Sequence, residues 1–186
     1  MSKPSEILLL TGLGNDKVVT RQERFVEYLN KRRPVNAQIH VFPTKWQTAE
    51  TFSEKWERLL KFTESYPNIS LVYGISAGAS LGMCLVPKMS KTTKYHFICG
   101  KILHPETIGP ERKLRAPALF YAVTASETVV SSLDLAHLDM RCHSGYLDGV
   151  LLQEDMIVPN IASHRIAMIT HSATISIAYL TVLRGL

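Results

Sequence analysis

The sequence predicts an α/β fold: a single domain in which about six parallel strands form one sheet, sandwiched between helices on both faces. Three observations predict it. Short continuous apolar runs alternate with longer stretches of helical period along the chain. The first of these runs ends in Gly12-Leu13-Gly14 and the third in Gly74-Ile75-Ser76-Ala77-Gly78. The length of 186 residues suits one core.

Glu6 to Thr11 is a short apolar run closed by glycine, as expected of a strand buried on both faces. A helix follows, with Thr20 and Glu23 at capping-box spacing and Phe25, Val26 and Leu29 on one face; Pro34 stops it. Gln38 to Thr44 reads as the second strand. The next helix, from about Ala49 to Tyr66, carries a stripe of Phe52, Trp56, Leu59 and Leu60. Ile69 to Tyr73 is the third strand, Ala79 to Val86 a helix of small and apolar residues, and Tyr95 to Cys99 the fourth strand. Near the end, Arg165 to Thr170 reads as a strand leading into His171-Ser172. The last helix places Ile175, Ala178, Tyr179, Val182 and Leu183 on one face. No repeat, low-complexity tract or linker interrupts this order.

Composition narrows the function. Apolar residues make up 46% and charged residues 20%, a globular balance. No apolar run reaches the roughly 18 residues that span a bilayer. The N-terminus lacks the apolar region and cleavage site of a signal peptide, so a cytoplasmic protein is expected. The net charge of +5 gathers at Lys31-Arg32-Arg33, at Lys88, Lys91 and Lys94, and at Arg112, Lys113 and Arg115. No aromatic residues or nucleic-acid motif accompany these clusters, and they read as solvated surface. Cys84, Cys99 and Cys142 have neither metal-ligand nor disulfide spacing and read as buried reduced thiols.

The chemistry centres on Gly74-Ile75-Ser76-Ala77-Gly78. A Gly-x-Ser-x-Gly pattern alone is weak, but this one joins an apolar strand to a helix. A nucleophile elbow needs that context, because a sharp strained turn lifts the serine hydroxyl into the open. Small residues must flank the turn so that strand and helix can approach, and Gly74, Ala77, Gly78, Ala79 and Gly82 meet that need. If the sheet reverses direction between strands one and three, the Gly12 loop and Ser76 face each other across a ligand-binding crevice.

On these residues, with the His-Ser after the last strand, the chain resembles the α/β-hydrolase superfamily. The resemblance implies a reduced, lidless form without the family's two leading strands, close to a flavodoxin-like strand order. It implies that Ser76 is the nucleophile and His171 the general base, although Thr170 stands where the family usually has glycine. His40, His96, His137, His143 and His164 lie in or beside strands, and His104 in a loop has no counterpart in the family. For the acid, three readings compete. Asp148 follows a strand over Met140 to Tyr146, Asp155 follows one over Val150 to Gln153, and Glu127 follows one over Pro117 to Val123. A parallel crossover of a dozen or more residues favours Asp148 and makes residues 117 to 132 a helix. The oxyanion hole is expected from the backbone N–H groups of Leu13 and Ala77.

The implied reaction is hydrolysis of a small-molecule ester or thioester through an acyl-enzyme, with no metal or organic cofactor. The segment from Ile102 to Val130 is expected to shape the pocket. Two alternatives stand beside it. One is a flavodoxin-like module binding an anion or nucleotide at helix N-termini, though the Gly12 loop lacks the Walker lysine and a third fingerprint glycine. The other is a catalytically degenerate hydrolase serving as an interaction scaffold.

Overall fold

Strand β1 (Ser5–Leu10) sends Ile7 and Leu9 to one face of a sheet and Leu8 and Leu10 to the other, and all four are buried. A strand covered on both sides reads as an unbroken apolar run, which is why this segment is legible in the sequence. The computed structural model describes residues 5–13, 31, 37–148, 150–152 and 154–166. The expected first and last helices, and their caps, lie outside these residues.

The elements that follow are β2 (Ala37–Phe42), α1 (Phe52–Glu64), β3 (Ile69–Ile75), α2 (Ala77–Leu85) and β4 (Lys94–Ile98). Then come α3 (Pro110–Arg115), α4 (Pro117–Ser132), β5 (Met140–Gly145) and β6 (Ala162–Ile166). The six strands form one sheet in the order β2-β1-β3-β4-β5-β6, and every neighbouring pair is parallel. The order reverses at β1, so the loops after β1 and β3 open onto one crevice, as the sequence predicts.

Helix α1 begins three residues later than the sequence suggests. Thr51 and Glu54 form a reciprocal capping box that fixes the first turn at Phe52. Helix α2 is buried on all sides, between the sheet and α4. Leu8, Leu10, Val72, Tyr95 and Phe97 of the sheet pack with Leu59, Leu81, Met83 and Val123 in one core. A second core on the opposite face joins Ile7, Leu9, Ile39, Tyr73, Ile75, Ile98 and Met156. Residues 117–132 are helical, so the strand proposed before Glu127 does not exist. Residues 150 and 151 make bends and 152 is irregular, so the strand proposed before Asp155 is absent from them too.

All three cysteines are buried, and no disulfide joins them. Burial pushes the Cys84 and Cys142 thiols up to about 12. No described helix is long and apolar enough to cross a membrane.

Candidate active site

Strand β3 runs straight into helix α2, and the turn between them rests on close backbone approach. A Cβ on Gly74 would lie 2.6 Å from Ala79 Cα, and one on Gly78 would strike the Leu10 carbonyl. Only glycine lets α2 settle so close to β1 and β3. The price of this tight turn is local strain: Ser76 sits at φ 52° and ψ −121°, a conformation rarely adopted outside glycine. Its N–H donates to Ile98 O at 2.8 Å and its carbonyl accepts from Ala79 N–H at 2.9 Å. Its hydroxyl does not cap the helix. A capping serine would explain the residue without chemistry, and the geometry offers no such cap. From Val72 to Val86 every residue is buried except Ser76, which is partly exposed.

Facing Ser76 is the loop after β1. A Cβ on Gly12 would come 2.8 Å from Ser76 Cβ and 3.0 Å from Ile75 O, so this position too tolerates only glycine. Leu13, Ser76 and Ala77 share the wall of a cavity of about 620 Å³, within the size range of small-molecule sites. Its remaining walls come from Thr107 to Arg112, Leu119, Val150 to Leu152, Lys101 and Asp155. The segment after β4 therefore shapes the pocket, as its position in the sequence suggests. Ala77 opens α2, where unpaired N–H groups and the helix dipole favour negative charge.

The three candidate acids have different surroundings. Asp148 follows β5 by three residues, and its Oδ1 accepts hydrogen bonds from Val150 N at 2.9 Å and Leu151 N at 3.1 Å. Asp155 is 2% exposed, with Oδ1 2.6 Å from Lys101 Nζ but no well-aligned hydrogen-bond donor among the described residues. Lys101 is itself 4% exposed and also donates to Thr107 Oγ1. The carbonyl of Asp155 accepts from Ile102 and Leu103 N–H, so backbone and charge fasten the same two segments. Glu127 lies on α4, where it accepts from His104 N at 3.4 Å, and does not line the cavity.

His171 and Gly14 lie outside the described residues. No described histidine lines the cavity. His40 stacks on Tyr66 with ring centres 3.7 Å apart, His96 and His143 pack ring to ring, and His104 and His137 are exposed. Among the described residues no three His, Cys, Asp or Glu side chains gather to hold a metal.

No motif in the sequence singles out Lys101, Thr44 or Trp46. Lys101 follows Cys99-Gly100 at the end of β4, and a cation at the carboxyl end of a buried strand was the available signal. Trp46 is buried, and its indole N–H donates to Thr11 O at 3.0 Å. The Thr44 hydroxyl lies 2.8 Å from that of Thr11.

Neither family models nor curated protein sequences match the chain. Solved structures do. A structure reported for the metagenome-derived lipolytic enzymes LipS and LipT superposes over 100% of this chain and 95% of its own, with a TM-score of 0.62 at 13% identity. The esterase domain of a Rhodothermus marinus protein matches 98% of this chain and 84% of its own, with a TM-score of 0.64 at 13% identity. The chain has the α/β-hydrolase fold. The N-acyl homoserine lactonase AidH shares that fold, over 96% of this chain and 88% of its own, with a TM-score of 0.58 at 10% identity.

Proposed function

We propose that the protein is a serine hydrolase that cleaves a carboxylic ester or thioester through an acyl-enzyme on Ser76. The observation that carries this reading is the conformation of Ser76. Backbone strain at one partly exposed serine, on the wall of a cavity and opposite a glycine loop, is what an elbow nucleophile requires.

In this reading Ser76 Oγ attacks the substrate carbonyl while His171 takes its proton. The N–H groups of Leu13 and Ala77 stabilise the oxyanion as charge develops, in a site walled largely by apolar side chains. His171 then protonates the leaving alkoxide or thiolate, and water, deprotonated by the same histidine, releases the acid. Asp148 is the proposed acid that holds the histidine tautomer and stabilises the imidazolium. Two things support it over Asp155. Two backbone N–H groups orient its carboxylate, and the Asp155 charge is already neutralised by Lys101. The structural neighbours, lipolytic enzymes, an esterase domain and a lactonase, support ester chemistry.

Stopped-flow hydrolysis of short-chain p-nitrophenyl esters tests the proposal. The wild type is expected to release a burst of p-nitrophenol stoichiometric with enzyme or to turn over steadily, and Ser76→Ala to lose at least about a thousandfold in kcat. Equal rates in the two proteins would end the acyl-enzyme reading.

A further inference from the structure

The loop between β2 and α1 holds more polar machinery than a connection needs. Helix α1 grips its backbone through two cations. Lys55, with no exposed surface, donates from Nζ to Thr44 O at 2.5 Å, Lys45 O at 3.2 Å and Glu50 Oε2 at 2.6 Å. Arg58 donates to Pro43 O at 2.7 Å and to both oxygens of Glu50 at 2.8 and 2.9 Å. Three successive carbonyls, from Pro43 to Lys45, are thus tied to one helix. A buried lysine costs several kcal/mol in desolvation, and its hydrogen bonds to two carbonyls and a carboxylate offset this.

The braced loop reaches in one direction. From it, Trp46 Nε1 donates to Thr11 O and Thr44 Oγ1 bonds Thr11 Oγ1, and all three residues are at most 3% exposed. The Thr11 carbonyl belongs to the same rigid peptide plane as the Gly12 N–H. Holding that oxygen and the Thr11 hydroxyl sets the orientation in which the chain enters Gly12. Gly12 in turn is wedged against Ser76, and the next peptide carries the Leu13 N–H.

We propose that Trp46 and Thr44 are positioning residues that preset the Leu13 N–H for the oxyanion, through hydrogen bonds to Thr11. The inference rests on the serine-hydrolase reading of the site. Neither side chain lines the cavity, so neither touches substrate. Their effect falls on the transition state, where oxyanion donors are used, and leaves ground-state binding alone.

The test uses Trp46→Phe, Thr44→Val and Thr44→Ser in the full chain, with kcat and KM measured on the best p-nitrophenyl ester and thermal unfolding measured in parallel. Removing one oxyanion donor outright costs about a hundredfold to a thousandfold in kcat. Loosening it is expected to cost about tenfold in Trp46→Phe and in Thr44→Val, with KM within about twofold of wild type. Thr44→Ser, which keeps the hydroxyl, is expected to stay within about twofold in kcat. Should Trp46→Phe fail to fold, the Thr44 pair decides by itself. Wild-type kcat in folded Trp46→Phe and Thr44→Val would overturn the proposal. So would a Thr44→Ser variant as slow as Thr44→Val, because the hydroxyl would then be irrelevant. A wild-type protein that fails to hydrolyse any ester, or hydrolyses it without Ser76, refutes the acyl-enzyme reading and this inference with it. That outcome is recognised without the Trp46 and Thr44 variants.

Discussion

Lys101→Met is expected to destabilise the protein severely, and the structure sets the size of the effect. The Lys101–Asp155 contact is 2.6 Å long, and the two side chains are 5% and 3% exposed. Losing one partner of such a pair strands a charge in low dielectric, at about 3–5 kcal/mol. Asp155→Leu alone strands the ammonium and is expected to cost a similar amount. Removing both charges together, as Lys101→Met with Asp155→Leu, leaves no stranded charge, and apolar replacements of buried pairs are often near neutral. The double variant is therefore expected to lie within about 2 kcal/mol of wild type, with a coupling energy of about 3 kcal/mol or more. Urea unfolding of the four proteins measures this cycle directly. Additive single effects, with coupling below about 0.5 kcal/mol, would refute the argument that the pair is desolvated and mutually dependent. The same cycle bears on chemistry. With Asp148 as the acid, the double variant keeps ester turnover within about tenfold, whereas Asp148→Asn loses about 10⁴-fold through the wrong histidine tautomer. The reverse pattern would move the acid to Asp155.

Two further outcomes follow from the packing and the charges. Gly78→Ala forces a methyl group onto the Leu10 carbonyl and is expected to cost about 1–3 kcal/mol by thermal or urea unfolding, with loss of ester turnover as the elbow opens. Arg58, with Lys55 adding, holds the Glu50 carboxyl down at about 2, below its ordinary 4.5, against the opposing effect of burial. That depression contributes stability that is fully present above pH 4.5 and is lost as pH falls towards 2; allowing for solvent screening, it amounts to roughly 2 kcal/mol. Glu50→Gln is expected to flatten acid unfolding in that window, and an unchanged acid limb would contradict the assignment.

Much of the fold is legible in the sequence because its central strands are covered on both faces. β1 and β3 read as apolar runs, and the glycines that let α2 approach them are themselves the motif around Ser76. The edge is harder to read. β6 begins at Ala162, three residues before the expected Arg165, because Ala162 and Ser163 are exposed at the sheet margin and carry no apolar signal. Residues 149–161 connect Asp148 to β6, thirteen positions against the sixteen expected, and only six, 156–161, separate it from Asp155. Both aspartates lie in the one connection between β5 and β6, so its length does not choose between them. Val150 to Leu152 look like a strand because they are apolar, but they face the cavity rather than a neighbouring strand. The hydrogen bonds from Trp46 and Thr44 to Thr11 span 33 to 35 positions in the chain, and no local pattern announces them. The Lys101–Asp155 pair is hidden for the same reason.

The measurement that tests the central claim most directly is peptide mapping after treatment with a fluorophosphonate. The account predicts a single adduct on the peptide that contains Ser76, absent in Ser76→Ala and strongly slowed in His171→Ala. No adduct on the wild-type protein, or an adduct on any other residue, would contradict it.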